Sequence, residues 1–311
     1  MNGNGNGSAT KSRGYRNIKL APTTRAIRSA LALSAAMLAL SGSGTALAGT
    51  CAVTGPTEVT CNGVFTNDVA NDVPVLSMVP DLTLIVGTDG STTIDPAIGT
   101  NGISSTWGGD AVVTSYADIE VTDAEGIYLH TTDGTGTVNV YGDIYAHAAA
   151  ADVYGVHIVA YGDATVLVDA TIQAIAPNGT TTDTTALEIY SSDNIAHASV
   201  TEDGVIVSSA YNGSALGLDV TGYAGATAVN DGLVGASSVG GSASAIEVET
   251  VFGGGYASLV NNGTVNAFLR RLRSSLKPLR GIVRGDLPDT PARRVTTAGR
   301  QVTVVDLHNL P

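Results

Sequence analysis

Three pairs of carboxylates stand close together in this chain: Glu120/Asp123, Glu202/Asp203 and Glu247/Glu249. Paired carboxylates are the residues with which a protein hydrolyses a glycosidic bond, one as acid and the other as base or nucleophile. Glu247 and Glu249 are two apart, so on a strand both point to the same face. The plainer reading is a solvated polar face opposite Ile246 and Val248. Four histidines, His130, His147, His157 and His197, lie in the same long segment. If His130 and His157 stack on neighbouring turns, they form a two-histidine face of the kind that takes a transition metal. Plain packing is again the simpler account. Gly87-Thr88-Asp89-Gly90-Ser91 does not match the Gly-Asp-Ser-Gly of a serine protease, and Gly253-Gly254-Gly255-Tyr256 lacks the Asp of a repetitive Ca²⁺-binding loop. The reading is therefore no catalytic residue, no cofactor and no dedicated metal site.

Charge sharpens that reading. The chain has 311 residues and a net charge of −13, but all 15 Lys and Arg lie at its two ends. Six fall between Lys11 and Arg28 and nine between Arg270 and Arg300, while Cys51 to Ala267 holds 25 Asp and Glu and no fixed positive charge. Elimination chemistry with a Lys or Arg base, as in pectin-cleaving lyases, has no base here. No acid in the span can meet a Lys or Arg of the span, so each is solvated, caps a turn or binds a cation. Such a surface repels nucleic acid and anionic lipid.

The first 48 residues read as an export signal. A basic stretch is followed by the apolar run Ala30 to Leu40, too short to anchor in a bilayer, and by Ala46-Leu47-Ala48, an A-x-A cleavage site. Cleavage after Ala48 leaves Gly49 as the mature N-terminus. Thr50 separates Gly49 from Cys51, which breaks the lipoprotein pattern. The only two cysteines, Cys51 and Cys61, are expected to pair in an oxidising compartment. Closing so small a loop is worth on the order of 3 kcal/mol in the chain-entropy view.

The elements that must position these residues are short strands. From Asp118 to Ala267 one pattern returns: a Gly or Ala (once Asp118) opens it, a few strand formers follow, then a polar turn. Equivalent apolar residues Ile119, Ile144, Ile172, Ile206, Val234 and Val265 are 25, 28, 34, 28 and 31 residues apart. Each repeat carries two more alternating pieces, for example Gly126–His130 and Thr137–Val140. Three strands about every 30 residues predict an all-β chain coiled as a right-handed parallel β-helix. A sandwich or barrel is the alternative, because Asn62-Gly63, Asn101-Gly102, Asn178-Gly179, Asn212-Gly213 and Asn262-Gly263 also suit hairpins. The expected divisions are a signal peptide (1–48), an N-terminal cap with irregular first turns, where Trp107 plugs the core (49–115), the β-helix (116–267) and a basic tail (268–311).

The long leader, the acidic Gly/Asn/Thr-rich body and repeats such as Asp203-Gly204-Val205-Ile206-Val207 and Asn262-Gly263-Thr264-Val265-Asn266-Ala267 resemble the passenger region of a bacterial autotransporter. The resemblance covers residues 1–267. It implies a β-helix translocated through the membrane, with a body not embedded in it. The implied location is the periplasm, cell surface or exterior of a Gram-negative bacterium. The implied role is adhesion to a host or neighbouring-cell glycan or protein, or self-association. The family's C-terminal membrane barrel has no counterpart after Ala267. The switch to Phe268-Leu269-Arg270-Arg271 reads as a change of reading frame, with a basic amphipathic helix as the other account. A carbohydrate-active enzyme and a truncated product without function are the competing expectations. Arg284-Gly285-Asp286 matches an integrin-binding tripeptide in that tail, a match common by chance.

Overall fold

The computed structural model describes residues 48–69, 81–177, 179–251, 255–269, 293–297 and 300–304. The basic leader with its apolar run lies outside these, as do Asn178 and Arg284-Gly285-Asp286. The described part is all-β. It opens with β1 (Thr50–Val53), β2 (Glu58–Asn62), β3 (Val64–Phe65), β4 (Leu82–Val86), β5 (Thr93–Ile94), β6 (Ile103–Trp107) and β7 (Ala111–Ser115). Full turns of three strands follow: β8 (Asp118–Thr122), β9 (Glu125–Thr131), β10 (Gly136–Val140); β11 (Ile144–His147), β12 (Val153–Ala160), β13 (Ala164–Val168); β14 (Thr171–Ile175), β15 (Thr184–Ser191), β16 (Ile195–Val200). Then come β17 (Val205–Ala210), β18 (Ala215–Gly222), β19 (Gly225–Asn230); β20 (Leu233–Ser238), β21 (Ala243–Thr250), β22 (Tyr256–Asn261); and β23 (Thr264–Leu269).

Strands of like position stack into three parallel sheets, so the chain is a β-helix of about seven turns. The first sheet runs β3-β5-β8-β11-β14-β17-β20-β23 and the second β6-β9-β12-β15-β18-β21. The third runs β1-β2-β4-β7-β10-β13-β16-β19-β22. In the tail, β24 (Arg293–Thr297) and β25 (Arg300–Val304) form an antiparallel pair, and β25 meets β21 at Glu249↔Val302. The N-terminal turns are less regular: β3 and β5 hold two residues each, and β1 pairs antiparallel with β2, where Cys51 and Cys61 are opposite and disulfide-bonded. Stacking passes through residue 115 without a break, since β7 pairs with both β4 and β10. Trp107 packs against the core from β6, the first strand of its sheet.

The six apolar residues that marked the repeat form one ladder, Ile119↔Ile144↔Ile172↔Ile206↔Val234↔Val265, which runs back to Ile94 and Phe65. All eight are buried. One detail of the repeat is corrected. Two residues before Ile119 stands Ala117, which is buried and is the counterpart of Gly142, so Asp118 is not an exceptional opener. A Cβ on Gly142 would lie 2.2 Å from the Ala117 carbonyl oxygen, which explains why small residues hold this corner. The Asn-Gly pairs on described residues sit at corners between sheets, as Asn62-Gly63 does between β2 and β3, and not in hairpins.

From β9 to β21 the strands of the second sheet each bury two successive residues, such as Gly155 with Val156 and Ala186 with Leu187. The register skips the first of each pair, so the strand bends there like a bulge stacked from turn to turn. Only Gly or Ala occupies this column. A Cβ on Gly155 would lie 2.3 Å from Ile172 Cγ2 and 2.5 Å from the Ala186 carbonyl oxygen.

The acids without cations find backbone partners. Asp123 stands at a φ of 55°, and its Oδ1 accepts the N–H groups of Ala149, Ala150 and Ala151 on the next turn at 2.6, 2.7 and 3.1 Å. Asp110 accepts from Thr135, Asp118 from Asp143, Asp143 from Thr171, Asp152 from Asp183, Asp163 from Ile195 and Asp183 from Ser214. Each reaches one turn forward, so a corner carboxylate fastens the next corner's amide.

Two substitutions test these devices. Gly155→Val overfills the bend and should cost on the order of 3 kcal/mol, read as a lowered midpoint in urea. Asp123→Ala should lower the melting temperature more at pH 7 than at pH 2. The three N–H groups hold its carboxyl below the ordinary value of 3.8, so its stabilisation exists above that value and disappears as pH falls. A melting temperature unchanged at pH 7 would remove the staple from this account.

Candidate functional site

Chemistry-bearing side chains gather on the outer face of the second sheet. Alternation along β9, β12, β15, β18 and β21 turns Val156, Leu187, Leu218 and Ile246 inward and leaves the next residue outward. Parallel register then lines up Tyr128, His157, Glu188, Asp219 and Glu247, one per turn. Neighbouring turns are about 4.8 Å apart. A second outward column runs His130, Val159, Tyr190, Thr221 and Glu249.

The C-terminal half of this face is a carboxylate ladder. Asp219 stands between Glu188 and Glu247, and Thr221 Oγ1 donates to Asp219 Oδ1 at 3.1 Å. Burial first, then the charges of Glu188 and Glu247, push the Asp219 carboxyl up to about 7; the Thr221 bond works in the opposite direction and Glu249 adds a smaller push. Three like groups in register cannot all be ionised cheaply, so one retains a proton.

The N-terminal half is aromatic. Nδ1 of His157 lies 2.7 Å from Glu125 Oε1, its ring stacks on Tyr154 at 4.8 Å, and Tyr128 lies tilted at 5.4 Å. Burial, and then Glu125, raises the Tyr128 hydroxyl above its ordinary value. On the first sheet, burial followed by Asp143, Asp118 and Glu120 pushes Tyr145 up to about 12. A tyrosine far from ionisation is what an acidic surface without cations produces.

The residues singled out in the sequence are placed as follows. Glu247 and Glu249 share the outer face of β21 and join the ladder. Glu202 and Asp203 sit exposed in the turn before β17. Glu120 lies 3.6 Å from His147, whereas Asp123 is tied to the next corner, so that pair does not act together. The two-histidine face does not form. His130 is in register with Val159 and His157 with Tyr128, an offset of two residues. His157 pairs instead with Glu125, and His197 with Thr227 at 2.6 Å. Among the described residues no group of three His, Cys, Asp or Glu is placed to hold a metal ion. Ala48 bridges to Val64, and the Gly49 N–H donates to the Val64 carbonyl at 2.6 Å.

Glu188 and Asp219 are the members that the sequence reading missed. The signal was present: aligning Leu187, Leu218 and Ile246 as one inward column puts Glu188, Asp219 and Glu247 side by side.

The ladder has a pH signature. The folded state favours protonated Asp219, so the stability tied to it is full below 3.8 and is lost as pH rises through about 7. Asp219→Asn should therefore stabilise the fold at pH 8.5 by on the order of 2–4 kcal/mol and change little at pH 3. Equal effects at both pH values would show that Asp219 carries no retained proton. No protein-family model, no curated protein and no solved structure matches the chain significantly.

Proposed function

We propose that the chain is an exported passenger of the autotransporter type, a non-catalytic β-helix scaffold for adhesion or self-association at a Gram-negative cell surface. The observation that carries this reading is the unbroken stack of parallel turns. Such a stack forms a stiff rod, and its side faces present one side chain per turn at a constant spacing of about 4.8 Å. Its corner aspartates are engaged in fastening turns together. The partner is a surface glycan or a protein, and the 25 acids without Lys or Arg between Cys51 and Ala267 disfavour nucleic acid.

Expression of the full chain in a Gram-negative host tests the reading. The expected result is a processed protein beginning at Gly49 outside the cytoplasm that attaches cells or beads to host-cell surfaces. Retention of the uncut chain in the cytoplasm, or export without attachment, would overturn it.

A second reading, glycoside hydrolysis, is favoured by the register of Asp219 with Glu188 and Glu247, in which a protonated carboxyl stands beside two others. A panel of polysaccharides separates the two. Sugar release that disappears in both Asp219→Asn and Glu247→Gln, with the fold intact by circular dichroism, selects the enzyme. No release from any substrate leaves the scaffold.

A further inference from the structure

We infer that the outer face of β9, β12 and β15 is a glycan-binding surface, and that its ligand is an uncharged chain of hexopyranoses laid along the rod. The inference rests on the adhesion reading above and names its ligand class. These strands present three outward positions each, nine in all. Tyr128, Tyr154, Tyr190, His130 and His157 fill five of them. Tyrosine is not spread over the rod in this way. The outward positions of the third sheet from β4 to β19 hold none. Those of the first sheet from β8 to β20 hold only Tyr145, and those of β18 and β21 hold none. The core does not require rings here, because Ile127, Leu129, Val156, Ile158, Leu187 and Ile189 fill it from the inner face. All five ring-bearing residues are half-buried and so offer part of their surface to a ligand.

The rings are joined into a platform. Ring centroids lie 6.3 Å apart from His130 to Tyr128, 5.4 Å from Tyr128 to His157 and 4.8 Å from His157 to Tyr154. An aromatic surface with a few polar tips suits the C–H faces and the hydroxyl rims of pyranose rings. Burial first, and then Glu125 for Tyr128 and Glu188 for Tyr154, raises both phenol groups above their ordinary value, so each remains a donor at neutral pH. Glu188 stands in register with His157 on the next turn, where its carboxylate can accept from sugar hydroxyls. Glu125 is already paired with His157, so the platform presents rings more than spare charge. Neighbouring strands are about 4.8 Å apart, close to the length of one pyranose in an extended chain, so successive sugars can lie on successive strands. Charge selects among glycans. With no Lys or Arg between Cys51 and Ala267, a uronate, sialate or sulfate would meet only acids.

Isothermal titration calorimetry on the purified full chain tests this with cellohexaose, maltohexaose, mannohexaose and the hexamer of N-acetylglucosamine. At least one should bind with a Kd below about 1 mM. Tyr154→Ala should weaken that binding about tenfold, as expected for one lost stacking contact, and Tyr154→Phe, which keeps the ring, should weaken it less. Tyr116→Ala removes an exposed tyrosine stacked on Tyr141 at another corner and should leave the affinity unchanged. Should Tyr154→Ala fail to fold, Glu188→Gln carries the test and should weaken binding about threefold or more. Four silent hexamers, equal binding of polygalacturonate or heparin, binding of the glucosamine hexamer alone, an equal loss in Tyr116→Ala, or an affinity indifferent to both Tyr154→Ala and Glu188→Gln each overturns the inference. Attachment to host cells that persists in Tyr154→Ala, or after glycosidase treatment of those cells, defeats this ligand and spares adhesion. Hexamer binding without attachment defeats the adhesion reading alone.

Discussion

Every turn of this rod depends on the turns before and after it for its core. One turn of about 30 residues has three short strands and a handful of aliphatic side chains, too few to close over themselves. Register solves the problem. Ile119 lies on Ile144, Ile144 on Ile172 and Ile172 on Ile206, so each side chain is covered above and below by its own equivalent. The same holds for Val138 on Val166 and for Ile158 on Ile189. A shift of one residue in any strand would turn its apolar set to solvent and uncover both neighbours. The bend column of Gly126, Gly155, Ala186, Gly217 and Ala245 belongs to the same constraint, because the corner must repeat in place if the faces are to stack.

Stacked equivalents bring a difficulty that apolar residues do not have. A charged residue repeated in register faces its own charge one turn away. The corners resolve this by giving the carboxylate a donor: Asp110, Asp143 and Asp183 each accept a backbone N–H from the following turn. Carboxylate-to-amide bonds need no cation, so the body folds with its positive charge confined to the ends. The outer face of the second sheet lacks such donors, and there Glu188, Asp219 and Glu247 meet as like charges, relieved by a proton on Asp219. The same residue type is stabilising at a corner and costly on a face, and the available donor decides which.

This contrast also explains what could be read from the chain and what could not. The ladder from Ile119 to Val265 was visible because aliphatic residues recur at one site per turn. The opening residue was misread at Asp118, since loop length varies and a local pattern does not reveal that Ala117 takes the corner. The His130–His157 face failed for a similar reason. Both histidines lie on the same strand position class, but register across a turn of about 30 residues is set by the inward column, which pairs His157 with Tyr128. The disulfide partners were identifiable because only two cysteines exist. The role of the corner aspartates was one of three options until the donors were located in space.

The core is not uniform along the rod. On the first sheet Ile206 gives way to Val234 and Val265. On the third, Val138 and Val166 give way to Ala198 and Ala228 before Leu259 restores a large aliphatic side chain, and Val168 and Val200 give way to Asn230 and Asn261. Each loss of methyl groups thins the shared interior, and a buried CH₂ is worth about 0.8 kcal/mol. Asn230 brings a buried Oδ1 with no partner among the described residues, a further cost. In a stack whose stability is a nearest-neighbour sum, the turns that hold least are those with the leanest interface and only one neighbour. The asparagine column sets part of that lean interior toward the C-terminal end, where β22 and β23 are the last described strands of their sheets.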